Sequence, residues 1–499
     1  MIDAATLRRR RLITLVVMMA TIMHALDGTI ANVALPSIQG ALSATQEQVS
    51  WVITSYIVAA AIMTPLAGYC AVRFGLRRVM VTAVVGFTSV SMLCGAAQTL
   101  EQLVLFRALQ GGFGASLVPL SQALMMETYP REEQGKAMAM WGVGTMLGPI
   151  TGPSLGGWLT DEYSWRWVFY INLPVGILCA FGLIVLLRDT GHNRPRPFDM
   201  LGFCFLAIAI GTFQLMLDRG QQLDWFDSAE IIVETVVAGL AFTMFVIHML
   251  TDEHPFLSRD LFKNRNLMLG LAFTSVAGLV LIVSATLMPP FLQQLKGYPV
   301  FTTGMVLAPR GAGMMVGMML VARLIGKYDS RLLIAAGLAL TALSLWDMTL
   351  FTLDVSESRI VWNGVLLGFG LGLIFPTLTT LSFATLPTRL RTEGAAINAL
   401  VRNLGASIGL ALLVSLLARG TQVNRSEMTQ SLSPFNPSSP FGAVVPGSDS
   451  VALAMWDAEI NRQAAMIGYL NDFRAMTICT LIVIPLLFFI RRPVFTPAR

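Results

Sequence analysis

Arg107-Ala108-Leu109-Gln110-Gly111-Gly112-Phe113-Gly114-Ala115-Ser116-Leu117-Val118-Pro119 is a mostly apolar stretch interrupted by one arginine and three glycines. Its landmarks return later in the chain. Gly111, Pro119, Pro130 and the pair Leu147-Gly148 recur 257 residues on as Gly368, Pro376, Pro387 and Leu404-Gly405. Arg73-Phe74 and Arg77 recur at an offset of 254 as Lys327-Tyr328 and Arg331, and Pro36 recurs at 253 as Pro289. A common offset at matching places in the pattern of spans marks an internal duplication. Two parallel six-helix halves imply a pseudo-twofold axis along the membrane normal, a substrate site near the midplane, and access alternating as the halves rock. That is a transporter architecture rather than a channel or an enzyme.

Working outward, the 499 residues are 55% hydrophobic and 13% charged. Soluble chains carry about 25% charge, so this composition excludes a soluble enzyme, a disordered chain and a disulfide scaffold. A membrane helix needs about 20 mostly apolar residues. Fourteen stretches meet that need: 12–34, 50–70, 79–98, 103–127, 137–160, 167–187, 199–217, 229–250, 267–292, 302–322, 332–351, 361–385, 395–418 and 475–490. The expected fold is therefore an all-α polytopic membrane protein. Its first six-helix half covers residues 1–190, two inserted helices lie within 191–266, and the second half covers 267–499. A Ser-, Asn-, Pro- and Gly-rich outer loop is expected over 419–473, weakly helical over 451–470. Loops of that length either bind something or are disordered. The five cysteines sit in or beside apolar runs, without metal-ligand spacing, and read as buried hydrophobes.

The net charge of +5 resolves into topology. With the N-terminal Arg8, Arg9, Arg10 and Arg11 inside, 23 of the 34 Lys and Arg face the cytoplasm, 8 face outward, and Arg107, Arg310 and Arg402 fall within spans. Excess basic residues mark the cytoplasmic side, so both termini are placed there. Spread over short loops, the charge forms no patch suited to nucleic acid. Asp27 interrupts the first apolar run and no cleavage pattern follows, so 12–34 reads as a retained helix rather than a signal peptide.

The interruptions carry the chemistry. Asp27 lies in Leu26-Asp27-Gly28-Thr29-Ile30-Ala31-Asn32, at a depth where a charge costs a few kcal/mol or more. Burial favours the neutral acid, so proton coupling is one reading; a structural ion pair or cap is the other. His24 stands one turn earlier, as a second proton-handling group or as a packing residue. Arg107 cannot lose its proton and would oppose protonation of a nearby Asp27; varying their separation would move the proton. A static ion pair is the alternative. Gly148-Pro149-Ile150-Thr151-Gly152-Pro153-Ser154-Leu155-Gly156-Gly157 must bend and pack closely, and reads as a hinge and seal between halves. Gly68, Arg73, Gly75, Arg77 and Arg78 form a tight basic turn, a topology anchor whose echo at Lys327 and Arg331 suggests gating. Gln110, Arg310, Met314 and Arg402 are candidates for the substrate cavity. No triad, metal cluster or phosphate loop is present, so no enzyme activity, metal or cofactor is expected.

At these motifs the chain resembles the major facilitator superfamily, and most closely the fourteen-span drug:proton antiporters of the EmrB type. The likeness covers nearly the whole chain. It rests on Leu26 through Pro36, the 68–78 loop, Arg107 through Gly114, Gly148 through Gly157, Trp165 through Pro174, Leu217-Asp218-Arg219-Gly220, Leu223-Asp224-Trp225-Phe226, Arg402-Asn403-Leu404-Gly405 and Pro434-Phe435-Asn436-Pro437. Where the superfamily loop motif usually has Asp, this chain has Val72. The resemblance implies proton-driven efflux of hydrophobic or amphipathic compounds across the bacterial inner membrane. It also implies a periplasmic adaptor of the EmrA type and an outer-membrane channel of the TolC type, with 419–473 as a contact surface. The alternatives are an exporter of one endogenous metabolite, such as a siderophore or fatty acid, and a non-transporting scaffold or receptor, which would not need buried charges.

Overall fold

The computed structural model describes residues 4–130, 133–187, 197–325, 327–431 and 450–490. The boundary drawn at 190–191 and the stretch Pro434-Phe435-Asn436-Pro437 lie outside the described residues. So do the side chains of Pro149 and Pro153, whose backbone is helical. The helices are α1 (Ala4–Ala41), α2 (Gln46–Phe74), α3 (Leu76–Ala96), α4 (Leu100–Gly114), α5 (Leu117–Thr128), α6 (Gln134–Glu162), α7 (Trp167–Tyr170), α8 (Asn172–Leu186), α9 (Met200–Arg219), α10 (Ala229–Thr251), α11 (Arg259–Lys263), α12 (Arg265–Pro290), α13 (Val300–Leu324), α14 (Ser330–Met348), α15 (Glu357–Ala384), α16 (Arg391–Ser431) and α17 (Ser450–Val483). A π-helical turn, Phe291–Leu295, ends α12. Counting α4–α5 and α7–α8 as one traverse each, the described chain makes fourteen. Thirteen are long and apolar enough to cross a membrane. The other, α6, has 29 residues, but its Gly, Pro and Thr dilute its apolarity.

Several helices outrun the bilayer. At 1.5 Å per residue, the 41 residues of α16 reach about 60 Å, against a hydrocarbon core of about 30 Å. The stretch 419–473, expected as a loop, is helical over 419–431 and 450–473. The two arms pair through Arg425 and Asp457 at 2.7 Å, and Asn424 donates to the Ala464 carbonyl at 3.4 Å. Ser, Asn and Arg suggested a loop, but here they occupy the wetted faces of paired helices.

The sequence repeat is a packing repeat. A side chain at Gly111 would strike the Tyr56 carbonyl, seating α4 on α2; one at Gly368 would strike the Arg310 carbonyl, seating α15 on α13. Gly148 lies against Ala25 and Leu26 of α1, and Gly405 against Ser275 of α12. Small residues let helix backbones approach where lipid supplies no hydrophobic drive. One apolar core, around Met80, Phe87 and Leu120, runs on into Phe383, Leu386 and Leu390 of the second half, and another forms around Phe273, Phe291 and Phe473. Several buried hydroxyls are satisfied by their own helices, as in Thr21 to the Val17 carbonyl and Thr88 to the Val84 carbonyl.

The inserted helices α9 and α10 pack on each other, and α9 packs on α2 and α16. Thr54 bonds the Asp218 carboxylate, and Gln214 Nε2 donates to Ser407 Oγ at 3.0 Å. Asp199 caps α9 through the Gly202 N–H, lies 2.8 Å from His248 Nε2 on α10, and accepts from the Phe256 N–H. Burial pushes its carboxyl up, but these bonds outweigh that and hold it below the usual carboxylate range. Only Cys94 and Cys179 are buried as expected; Cys70 and Cys479 are half-buried and Cys204 is exposed.

Candidate functional site: a buried ion pair beside a central cavity

Asp27 and Arg107 meet in the interior of the first half, 2% and 1% exposed. Arg107 Nη1 donates to Asp27 Oδ2 at 2.6 Å. Asp27 Oδ1 accepts from Gln110 Nε2 at 2.9 Å and from Asn172 Nδ2 at 3.0 Å. The carboxylate is thus held by one cation and two amides from α4 and α8. Arg107 also donates through Nε to the Val52 carbonyl at 3.2 Å and through Nη1 to Gln110 Oε1 at 2.8 Å. Its guanidinium lies 4.1 Å from the centre of the Tyr56 ring. Asn172 is fixed in turn by donation to Ser91 Oγ at 3.0 Å, and Ser91 donates to the Phe169 carbonyl.

The cluster connects to a cavity. Tyr56 Oη lies 2.9 Å from His24 Nδ1, and His24 lines a cavity of about 270 Å³ between the halves. Thr21, Trp141 and Gln122 face it from the first half, and Met314, Asn398 and Arg402 from the second. Trp141 donates to Thr21 Oγ1 at 3.0 Å, and Thr274 donates to Asn398 Oδ1 at 3.1 Å. No carboxylate is among the described lining residues. On the face that bears the termini, a side chain at Gly68 of α2 would meet the Glu393 Cα of α16, and Gly135 of α6 meets Ile325 beyond α13. The halves touch there, below the cavity.

Of the sequence candidates, the structure brings Asp27, Arg107 and Gln110 together and leaves His24 one hydrogen bond removed, through Tyr56. Gln110, expected in the cavity, instead bridges the ion pair: on α4 it follows Arg107 by three residues and so shares its face. Arg310, also expected in the cavity, donates to the Leu281 carbonyl at 3.0 Å and is not among the lining residues. Met314 and Arg402 do line it, and Arg402 makes no hydrogen bond or ion pair among the described residues. The glycine run, expected between halves, packs within the first half. Gly148, Gly152 and Gly156 sit against Ala25, Thr29 and Ile30 of α1, while Gly157 faces open space. Its glycine face is turned to the helix that carries Asp27; Gly135 and Gly142, earlier on α6, meet Ile325 and Met318 across the halves.

In the basic turn, Gly75 adopts φ +90°, which a side chain would strain. Arg73 donates to Tyr69 Oη at 2.7 Å, and Arg77 to the Ile184 carbonyl at 2.7 Å. Asn172 and Tyr56 escaped the sequence reading. The available signal was an amide and a phenol inside apolar spans, since buried polar groups are nearly always bonded.

Comparison with known proteins agrees with this architecture. The family model described as Major Facilitator Superfamily matches residues 17–410. Multidrug export protein EmrB of Escherichia coli (strain K12) is 35% identical over 85% of this chain and 84% of its own length. Fatty acid resistance protein FarB of Neisseria gonorrhoeae is 33% identical over 96% of each. The crystal structure of the human organic anion transporter MFSD10 covers 94% of this chain and 99% of its own, with a TM-score of 0.62 at 16% identity. With its duplicated six-helix packing and this match over most of its length, the chain belongs to the Major Facilitator Superfamily and, within it, to the EmrB-type multidrug transporters.

Proposed function

We propose that this protein exports hydrophobic and amphipathic compounds by alternating access, in exchange for protons, across the bacterial inner membrane with both termini inside. The observation that carries the reading is the Asp27–Arg107 pair, fully buried and linked through Tyr56 to the cavity. In this conformation Asp27 is paired with Arg107. When a proton binds Asp27, its O–H bond forms and the anion is lost. Arg107 is then a buried cation held only by carbonyl oxygens and ring faces. Leaving one partner of a buried pair costs about 3–5 kcal/mol, so protonation favours a conformation in which α1, α4 and α8 rearrange.

The basic residues concentrated on the terminal face support the orientation. The paired arms of α16 and α17 extend beyond the bilayer and are the surface offered to a periplasmic adaptor of the EmrA type, which would lead to a TolC-type channel. The test is export driven by an imposed pH gradient in vesicles. Asp27→Asn should abolish it, and unchanged transport would refute the coupling role.

A second reading has its own observation. Arg402 projects an unneutralised guanidinium toward a cavity without carboxylates, which favours anionic or neutral amphiphiles over dications and fits a dedicated exporter of a fatty acid. Arg402→Gln should then weaken export of a carboxylate amphiphile and spare a neutral one; equal effects on both would reject it.

A further inference from the structure

The second half holds a carboxyl of its own that the coupling scheme above does not use. Asp472 lies on α17 with 1% of its surface exposed. Among the described residues it makes no hydrogen bond and no ion pair, and its Oδ2 is buried without a partner. Tyr469 and Phe473 flank it on α17, and their rings lie 5.5 and 6.4 Å from that of Phe291. Phe291 opens the π-helical turn that ends α12 after Pro289 and Pro290. Such turns widen the hydrogen-bonding pattern of a helix and recur at functional positions.

Charged groups on the packed elements leave Asp472 alone. Asp347 of α14 is taken up by Arg359 and Asn363. Arg265 of α12, Arg331 of α14, and Arg402 and Arg419 of α16 form no bond to it. Among the described residues, the one titratable group in electrostatic contact with it is Tyr469, on its own helix. The contrast with the first half is chemical. Asp27 has a guanidinium and two amides against its carboxyl oxygens; Asp472 has none of these. An isolated carboxylate in such a place would cost several kcal/mol or more, and the group takes a proton instead.

We propose that Asp472 is a second proton-binding carboxyl, protonated in this conformation, that ionises when α17 shifts against the π-helical turn and admits water. In that step the Oδ2–H bond breaks, its electron pair stays on the carboxylate, and the proton passes to water. The proposal rests on the proton-coupled reading above and adds one proton to the cycle beyond that of Asp27.

The test uses the whole protein in lipid vesicles at neutral pH. The infrared difference between wild type and Asp472→Asn should contain the carbonyl band of a protonated carboxylic acid. Asp472→Glu should restore that band, and Asp27→Asn should keep it. Absence of the band from the wild-type-minus-Asp472→Asn difference overturns the proposal. In transport, Asp472→Asn should lower the protons exchanged per substrate by one, and an unchanged ratio also overturns it. Because the infrared band does not depend on transport, a fully active Asp27→Asn protein would sink the Asp27 mechanism while leaving the protonated Asp472 standing.

Discussion

The Asp27–Arg107 pair lends itself to a double-mutant cycle. Asp27→Asn leaves Arg107, 1% exposed, with the Val52 carbonyl, Gln110 Oε1 and the Tyr56 ring, none of them charged. Arg107→Met leaves the Asp27 anion with only the amides of Gln110 and Asn172. Removing one partner of a buried pair costs about 3–5 kcal/mol; the remaining hydrogen bonds place both single variants toward the lower end. The double variant removes both charges. Because an amide stays in place of the carboxylate, the double variant should cost about as much as one single, about 3 kcal/mol less than the sum of the singles. That corresponds to roughly a hundredfold in the folding equilibrium at 1.4 kcal/mol per tenfold. The assay is denaturant unfolding of the purified protein in mixed micelles, followed by vesicle transport under a pH gradient for each variant. Coupled export should be lost in all three, and the double variant should be no less stable than either single. Additive losses in stability would refute the argument, because they would mean that the two charges do not sense each other.

Three further outcomes follow from the same geometry. Tyr56→Phe keeps the ring under Arg107 but removes the bond to His24; it should slow coupled transport several-fold with little change in thermal stability, and an unaltered rate would remove His24 from the proton route. Gly111→Ala and Gly368→Ala each drive a methyl into a carbonyl of the neighbouring helix and should each cost about 1–3 kcal/mol of overpacking; melting temperatures that fall in only one of the pair would show that the duplicated contact is not energetically duplicated. Asp199 has its carboxyl held below the usual range, so the stability it adds is fully present above about pH 3.9 and is lost as pH falls through its lowered value. The melting-temperature gap between wild type and Asp199→Asn should therefore close on acidification, and a gap that widens in acid would contradict this sign.

The membrane class, the fourteen traverses and the duplication are all legible in the sequence, because each depends on one-dimensional quantities: the length of apolar runs, the side on which Arg and Lys fall, and a constant offset between landmarks. Asp27 and Arg107 could be singled out the same way, since a charge inside an apolar run is costly wherever the helix faces. What the run cannot encode is direction. A helix surrounded by neighbours has several buried faces, and packing alone chooses which residue meets which.

So it took the tertiary structure to bring Asp27 to Arg107 across 80 residues and to Asn172 across 145. Packing also moved Gln110 and Arg310 out of the cavity and turned the Gly148–Gly157 run toward α1 rather than toward the other half. The helical arms over 419–431 and 450–473 escaped for a related reason: their polar composition suits either a loop or a wetted helix, and only contact between the two arms decides. Apolar length and charge place a segment across a membrane because transfer from water is summed residue by residue; a site forms where side chains from distant helices converge, and that depends on how every face is filled.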